Sequence, residues 1–265
     1  MVLEKTGFFP ALHCREGQLS DIRECLAEEV PVALEYNGLS HAVMLATPGD
    51  LEDFALGFSL TEGVVADASE FYGCEVNPQV DGIRVAIDIA AARFHELKEK
   101  RRTLTGRTGC GICGAESLAF AVRSLPRFTG TALFTAGQLH AGFSQMEARQ
   151  QLRKETGATH AAAWMNETGE VSLLREDVGR HNALDKLIGA LIRQKVAASS
   201  GAVLVTSRAS YEMVSKCAFA GIGVLAAVSA PTALAVRMAE RSALTLIGFV
   251  RQGACAIYSC PDRIR

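Results

Sequence analysis

The sequence predicts an α/β protein with a layered α/β/α domain in its C-terminal part and a smaller α/β subdomain before it. After Gly114, apolar runs of strand length alternate with helical patterns, which is typical of a layered α/β domain. Earlier, short β-type runs surround a single amphipathic helix pattern. We therefore divide the chain into an N-terminal subdomain at 1–100, a mobile loop at 101–116 and an α/β/α domain at 117–265.

The N-terminal subdomain is predicted to contain mainly short strands. Asn37-Gly38 is a strong hairpin signal because both residues tolerate a positive φ. The segment Leu19–Glu29 fits a strand or a helix, and we favour a strand. The predicted strands are Leu19–Glu29, Pro31–Tyr36, His41–Ala46, Phe71–Val76 and Ile83–Ile89.

The helix of this subdomain is predicted to follow Thr47-Pro48-Gly49-Asp50. Thr47 can cap a helix, Pro48 fits a first turn, and a carboxylate at Asp50 favours the positive end of the helix dipole. Its apolar face is predicted to comprise Leu51, Phe54, Ala55 and Phe58.

Between Ala90 and Gly114 the periodicity is lost. The run His95–Arg102 is mostly charged. The residues after it show neither a helical nor a strand periodicity of apolar side chains. We expect a mobile connection here.

The α/β/α domain is predicted from alternating patterns. Its helices are predicted at Ser117–Ser124, Gly137–Lys154, Asn182–Lys195, Tyr211–Ala220 and Thr232–Ser242. Its strands are predicted at Ala161–Met165, Val171–Asp177, Ala202–Thr206, Val224–Val228, Thr245–Val250 and Ala256–Tyr258.

Composition restricts the function classes. The 265 residues, 49% of them hydrophobic, suffice for one large or two small domains. A net charge of -2 and a pI near 6.3 argue against a nucleic-acid polymer as partner. No stretch predicts a membrane span or a secretory signal, so we expect a cytoplasmic protein. In that compartment the eight cysteines are not expected to form a disulfide framework.

Two of these cysteines, Cys110 and Cys113, are spaced Cys-x-x-Cys and flanked by glycines at 109, 111 and 114. As half of a zinc site they need further ligands, for which Cys255, Cys260 and His160 are the obvious sources. A thioredoxin-like couple needs a strand before the motif, and none is predicted. Burial as structural cysteines fits poorly with such glycine-rich, polar surroundings.

A sulfur carrier remains as another interpretation of this pair. A carrier thiol must be accessible, lie in electropositive surroundings and move between donor and acceptor. Arg101, Arg102 and Arg107 with the glycine-rich loop meet those needs.

Polar residues follow the ends of several predicted strands. Glu176-Asp177-Val-Gly-Arg-His-Asn182 leads from a strand into a helix, as do Thr206–Ser210 and Ser229–Thr232. Each turn taken alone fits an ordinary capped helix, and His160 taken alone fits a core histidine. Together they predict a pocket for an anionic ligand such as a nucleotide at one edge of the sheet, with Arg180, His181, Ser207 and Arg208 as candidate contacts.

In order along the chain, these segments resemble the formate dehydrogenase accessory sulfurtransferase family, FdhD. The resemblance runs from about residue 30 to the C-terminus. It is carried by Asn37-Gly38, Thr47–Asp50, Gly57, Glu62-Gly63, Cys110–Gly114, Thr159–Ala161, Glu176–Lys186, Ser207–Met213, Ser229–Thr232 and Thr245–Arg251.

The resemblance implies a cytidine-deaminase-like fold without the zinc site, no resident metal, and a homodimer. It also implies a cytoplasmic sulfur carrier that accepts sulfur from a cysteine desulfurase and serves formate dehydrogenase. The sulfur goes to the molybdenum bis(molybdopterin guanine dinucleotide) cofactor, bound as a substrate through its guanine-nucleotide part. By position, Cys110 matches the persulfide-bearing cysteine and Cys113 the second thiol. The implied cofactor-binding segment is Phe249, Val250, Arg251, Gln252, Gly253 and Ala254.

Two other functions remain open from the residues. One is a zinc-stabilised nucleotide-binding or deaminase-like module that uses Cys110 and Cys113 as ligands. The other is a chaperone that binds cofactor and enzyme without carrying sulfur.

Overall fold

The structure, a computed structural model, describes residues 3–105, 123–251 and 253–265. These residues form sheets of two, four and six strands together with α-helices on either side. In the N-terminal part the elements are β1 (Thr6–Arg15), β2 (Gln18–Ala27), β3 (Val30–Tyr36), β4 (Leu39–Ala46), α1 (Leu51–Thr61), β5 (Phe71–Gln79), β6 (Gly82–Ile89) and α2 (Ala91–Thr105). The remaining strands are β7 (His160–Met165), β8 (Val171–Asp177), β9 (Ala202–Val205), β10 (Val224–Ala227), β11 (Thr245–Arg251) and β12 (Ala254–Ser259). The remaining helices are α3 (Ala136–Arg149), α4 (Gln151–Thr156), α5 (Arg180–Arg193), α6 (Tyr211–Phe219) and α7 (Ala233–Arg241).

The four-stranded sheet has the order β4-β3-β6-β5 and packs one face against α1. The predicted hairpin at Asn37-Gly38 is confirmed, with φ values of 46° and 81°. The Asn37 side chain donates to the Ile89 carbonyl at 3.1 Å and accepts from the Ile89 N–H at 2.8 Å. It thereby joins the hairpin turn to the end of β6.

Two ten-residue strands, β1 and β2, form a separate antiparallel ribbon with a turn at Glu16-Gly17. The strand prediction for Leu19–Glu29 is confirmed by β2. Strand β1 was not predicted, because apolar side chains occur on both of its faces and give no alternation.

Helix α1 begins at Leu51, and its predicted apolar face is buried. The prediction that Thr47 caps this helix is wrong. Asp50 occupies the N-cap position with φ 55° and makes no side-chain capping bond. The Thr47 hydroxyl instead accepts a hydrogen bond from the Val178 N–H at 3.1 Å, so it joins the subdomain to the later sheet.

The charged run that we expected to be a connection lies in helix α2. Its helical period is weak, but Phe94 and Leu97 pack against the core of the four-stranded sheet. The predicted mobile loop at 101–116 is therefore wrong for residues 101–105, which are helical. Residues 106–116, including Cys110 and Cys113, lie outside the described residues, as does most of the predicted helix Ser117–Ser124.

The six-stranded sheet has the order β12-β11-β10-β9-β7-β8. Helices α5, α6 and α7 contribute to the core on one face and α3 to the core on the other, which confirms the α/β/α layers. The predicted helix Gly137–Lys154 is interrupted at Gln150. The Glu176 carboxylate accepts from the N–H groups of Leu152 and Arg153 at 3.0 and 2.9 Å, and so begins α4 as a new helix.

Helices α1 and α5 join the two parts of the molecule, because two glycines let their backbones touch. A Cβ atom on Gly57 would lie 1.8 Å from the Asp185 carbonyl oxygen, and one on Gly189 would lie 1.9 Å from the Asp53 carbonyl oxygen. The Asp53 carboxylate also pairs with Arg175 at 2.7 Å and Arg193 at 2.8 Å. The two parts therefore share one interface of helices and ion pairs.

Candidate functional site

The carboxyl ends of four parallel strands, β8 to β11, meet at one edge of the six-stranded sheet. Strand β7 runs antiparallel between β8 and β9, so it begins at this edge with His160. The strand-to-helix turns after β8, β9 and β10 therefore share the edge, as the sequence predicts. This edge is where open α/β sheets bind ligands.

The turn between β8 and α5 is fixed by the buried carboxylate of Asp177. Its Oδ1 accepts from the Gly179 N–H at 2.7 Å and from the Asn182 amide at 3.0 Å. Its Oδ2 accepts from the Thr47 N–H at 3.0 Å and pairs with Lys186 Nζ at 2.6 Å. Asp177 therefore organises the turn, and its carboxylate is already occupied.

Three side chains at this turn and at the start of β7 bear buried nitrogen atoms that have no hydrogen-bond partner among the residues that the structure describes. They are His160 Nδ1, Arg180 Nε and His181 Nε2. Burial and the neighbouring Arg180 lower the pKa of both histidines, that of His181 to about 4. The histidines are thus neutral near pH 7, and the three groups together offer unused nitrogen atoms to a polar ligand.

The start of α6 lies beside His181. Glu212 Oε2 is 4.0 Å from His181 Nε2. The Tyr211 hydroxyl accepts from the Arg123 N–H at 2.7 Å, while the Arg123 guanidinium donates to the Thr61 carbonyl at 2.8 Å and lies 3.8 Å from the centre of the Phe219 ring. Arg123 is the first described residue after the segment that contains the two motif cysteines. Arg123 itself is therefore held beside Tyr211, at the start of α6.

A buried ammonium group lies beneath this anchor. Lys216 Nζ binds Glu62 at 2.6 Å, Asp185 at 2.9 Å and the Thr61 hydroxyl at 3.1 Å. These contacts attach the end of α1 to α6. Side chains from both parts of the molecule thus stabilise this region of the six-stranded sheet.

The turn after β9 holds the next candidate contacts. Ser207 is buried, and its hydroxyl donates to the Arg208 carbonyl at 3.0 Å. The Arg208 side chain is exposed. After β10, the Thr232 hydroxyl accepts from the Ala235 N–H at 3.3 Å and caps α7. Ser207 and Thr232 thus have structural bonds, whereas Arg208 is available to a ligand.

The segment implied to bind cofactor forms the β11–β12 hairpin. Phe249 has φ 54°, is 37% exposed, and donates its N–H to the Ser229 carbonyl at 3.3 Å. The Arg251 guanidinium lies 5.8 Å from the centre of the Phe249 ring. Val250 is buried in the core, Gly253 has φ 75°, Ala254 is exposed, and Gln252 lies outside the described residues.

The structure therefore places the candidate contacts in two groups at the same edge. Arg180 and His181 follow β8, whereas Phe249 and Arg251 lie on β11, four strand positions away. With about 4.8 Å between neighbouring strands, the axes of β8 and β11 are roughly 19 Å apart, and Arg208 follows β9 between them. This row suits an extended ligand better than a compact one.

Two cysteines of the described chain, Cys74 and Cys217, are poor candidates for sulfur chemistry. Burial raises the pKa of Cys74 to about 11 and raises that of fully buried Cys217 further. Cys255 and Cys260 lie at opposite ends of β12, and neither is part of a group of three metal-binding side chains within the described residues. His160 is on another strand, so these suggested zinc ligands do not converge.

Sequence reasoning missed several residues of this region. Tyr211 and Glu212 belong to a segment that carries the resemblance but received no role. Lys216 has the spacing of an ordinary helix residue, and Arg123 lies in no motif. The roles of Lys216 and Arg123 depend on contacts with Thr61 and Glu62. These lie more than sixty residues earlier in the chain, so no local pattern reveals them.

The sequence profile of the FdhD/NarQ family matches residues 27–265. The chain belongs to the FdhD/NarQ family. A relative from Cupriavidus necator named sulfur carrier protein FdhD is 58% identical over 97% of this chain and 89% of its own length. A protein of the same name from Bordetella petrii is 57% identical over 91% of this chain and 86% of its own length.

A solved structure supports the family fold. It is that of a putative formate dehydrogenase accessory protein from Desulfotalea psychrophila, with a TM-score of 0.79, 24% identity, and coverage of 99% of this chain and 100% of that one. The family match begins at the end of β2, so the β1–β2 ribbon lies almost wholly before it. None of the helices in the described ranges has the length and apolar character to cross a membrane.

Proposed function

We propose that this chain is a sulfurtransferase-type sulfur carrier that serves formate dehydrogenase. The observation that carries the proposal is the family match over residues 27–265, with relatives named as sulfur carriers, in a chain that bears the Cys110-Gly-Ile-Cys113 pair. The sulfur donor is a cysteine desulfurase, and the site of action is the cytoplasm.

Loading of the carrier is a sulfur exchange without net oxidation. The Cys110 thiolate attacks the outer sulfur of the desulfurase persulfide. A new S–S bond forms on Cys110 while the donor S–S bond breaks, and the desulfurase cysteine leaves as a thiolate. The product is a Cys110 persulfide.

We expect loading to add one sulfur atom per chain at Cys110. The test is mass spectrometry of peptides after incubation with a cysteine desulfurase and cysteine. Cys110→Ala should lose the added sulfur, because Cys110 is the proposed acceptor; burial also disfavours the thiolates of Cys74 and Cys217. The matched control is Cys14→Ala, since Cys14 is exposed but lies on the β1–β2 ribbon. Undiminished loading of Cys110→Ala would refute the carrier role.

The acceptor is the molybdenum bis(molybdopterin guanine dinucleotide) cofactor, bound as a substrate. Its guanine-nucleotide parts carry phosphates and purines, which suit arginine side chains and neutral imidazoles. Such groups are supplied at one end of the row by Arg180 and His181 and in its middle by Arg208. At the other end, a ring and a cation are supplied by Phe249 and Arg251. An extended ligand that carries two nucleotide parts suits candidate contacts that follow strands from β8 to β11 along this edge.

GDP serves as a soluble probe of this edge. In calorimetric titrations we expect Arg180→Ala to weaken GDP binding by about tenfold or more, because a charge-assisted hydrogen bond is lost. Arg84→Ala is the control, since Arg84 is an exposed arginine of β6 in the other sheet. Equal affinities for GDP in the two variants would exclude Arg180 from the site.

Delivery has two chemical routes. In one, Cys113 attacks the inner sulfur of the Cys110 persulfide, so that hydrosulfide leaves and a Cys110–Cys113 disulfide remains for reduction by a cellular thiol. In the other, the cofactor acts as the nucleophile and takes the outer sulfur directly, so that the S–S bond breaks and Cys110 leaves as a thiolate without Cys113. Anchoring of Arg123 beside Tyr211 supports either route, because it ties one end of the cysteine segment to the nucleotide-binding edge.

The other functions make distinct predictions. A zinc-stabilised module would hold about one zinc ion per purified chain through its thiols. A chaperone that only binds cofactor and enzyme would still activate formate dehydrogenase after replacement of both Cys110 and Cys113 by alanine. A carrier in the form of a homodimer, as the resemblance implies, would do neither.

A further inference from the structure

The β1–β2 ribbon exposes apolar side chains, and its strand β2 also contacts α4. Phe8, Leu12 and Leu19 are 63%, 66% and 67% exposed. Each of its strands pairs only with the other among the strands that the structure describes. A lone two-stranded ribbon is marginally stable in water, and open edges invite a further strand. A partner for the ribbon is therefore expected.

The hydrogen-bond pattern shows which edge can accept a strand. Glu16 and Gly17 have φ values of 52° and 83°, as in a two-residue hairpin turn whose flanking pair is hydrogen-bonded. Because the pattern alternates from that turn, Asp21 and Arg23 direct their backbone groups away from β1. Pro10, which faces Arg23, occupies an outward position on β1 and has no N–H. The open edge of β2 is thus the suitable one.

The charges on the open edge of β2 are self-complementary in an antiparallel pair of β2 strands. Asp21 and Arg23 flank Ile22, and neither forms an ion pair within the described residues. An antiparallel copy of β2 centred on Ile22 places Asp21 opposite Arg23 of the partner subunit, and the reverse pair forms by symmetry. A register shifted by two residues in either direction places Asp21 opposite Asp21 or Arg23 opposite Arg23, which is unfavourable.

We propose that β2 pairs with β2 of a second copy of this chain around a twofold axis at Ile22. The result is a four-stranded sheet across the dimer, with the β1 strands outside. Leu19 then lies opposite Cys25 of the partner subunit, whose cross-strand neighbour is Phe8 of the same partner subunit. The pairing gives exposed Leu19 a cross-strand neighbour and completes the open backbone edge. It deepens the homodimer of the proposed function by naming the surface.

Charge exchange tests the pairing in sedimentation experiments on the full chain. Asp21→Arg and Arg23→Asp each place like charges opposite one another, so we expect the dimer dissociation constant to rise on the order of tenfold or more. The double exchange should restore dimerisation, because it recreates the opposite pairs in reverse. Arg15→Asp, on the outer strand β1, should leave the dimer unchanged. A monomeric wild-type chain, unaffected single variants, or no rescue by the double exchange would overturn the pairing.

A cross-link tests the position of the axis. In Ile22→Cys, the new thiols of the two subunits would lie opposite each other as a close, non-hydrogen-bonded pair. Oxidation should then give a covalent dimer. Ser20→Cys, on the same face of β2 but away from the axis, is the control and should not cross-link. Equal cross-linking of the two variants contradicts the register. Sulfur loading of Cys110 in Asp21→Arg is measured separately, so a failed pairing and a failed carrier role are distinguishable.

Discussion

We expect Gly57→Ala to lower the free energy of unfolding by about 3 kcal/mol, since it forces a methyl group into a backbone contact. The added Cβ would lie 1.8 Å from the Asp185 carbonyl oxygen and 3.0 Å from the Gly189 nitrogen. Backbone atoms cannot rotate aside as a side chain can, so α1 and α5 must separate. Urea unfolding followed by circular dichroism measures the loss.

Gly137→Ala is the matched control for this substitution. Gly137 is also helical, but the nearest atom to its added Cβ is the Thr135 hydroxyl oxygen at 3.8 Å. Alanine there should leave stability unchanged or raise it by up to about 1 kcal/mol, because it favours the helix. Similar losses in both variants would contradict the contact between α1 and α5.

Lys186→Met is expected to lower the free energy of unfolding by about 3 to 5 kcal/mol, because it leaves the Asp177 carboxylate buried without its counter-ion. Both side chains are fully buried, and Lys186 Nζ also donates to the Thr47 carbonyl at 2.8 Å. Since Asp177 organises the turn that carries Arg180, GDP binding should weaken as well. Urea unfolding and GDP titration measure the two losses.

A second substitution tests the electrostatic cause. Asp177→Asn in the Lys186→Met background removes the uncompensated charge while its amide oxygen can still accept from the Gly179 N–H. The double variant should therefore recover part of the stability. Lys195→Met, at an exposed lysine, is the control and should change stability little. If the double variant is no more stable than Lys186→Met, the loss has another cause.

Local patterns sufficed for most of the layered domain. Strands such as β9 are apolar runs between clear turns, and the predicted bounds Val171–Asp177 of β8 are those observed. The strand edge was predictable as well, because parallel strands place their carboxyl ends together. Its contact residues were predicted as one set, and the structure divides them into two groups according to the sheet order.

Other features depend on distant contacts and were not predictable from local sequence. Helix α2 is stabilised by packing of Phe94 and Leu97 on the four-stranded sheet, which a charged run conceals. Thr47 has the sequence of a cap, but its hydroxyl accepts instead from the N–H of Val178, 131 residues later. The role of the cysteine pair came from the family resemblance, and the structure does not describe those residues.

The contact between α1 and α5 also affects the order of events during synthesis. The four-stranded sheet leaves the ribosome first, yet Asp53 and Thr61 acquire their partners only when Arg175, Arg193 and Asp185 have been made. The nascent N-terminal part must wait with that helix face open to solvent, where chaperones or aggregation can act on it. The candidate site at the strand edge is consequently assembled late, after both parts of the chain have been synthesised.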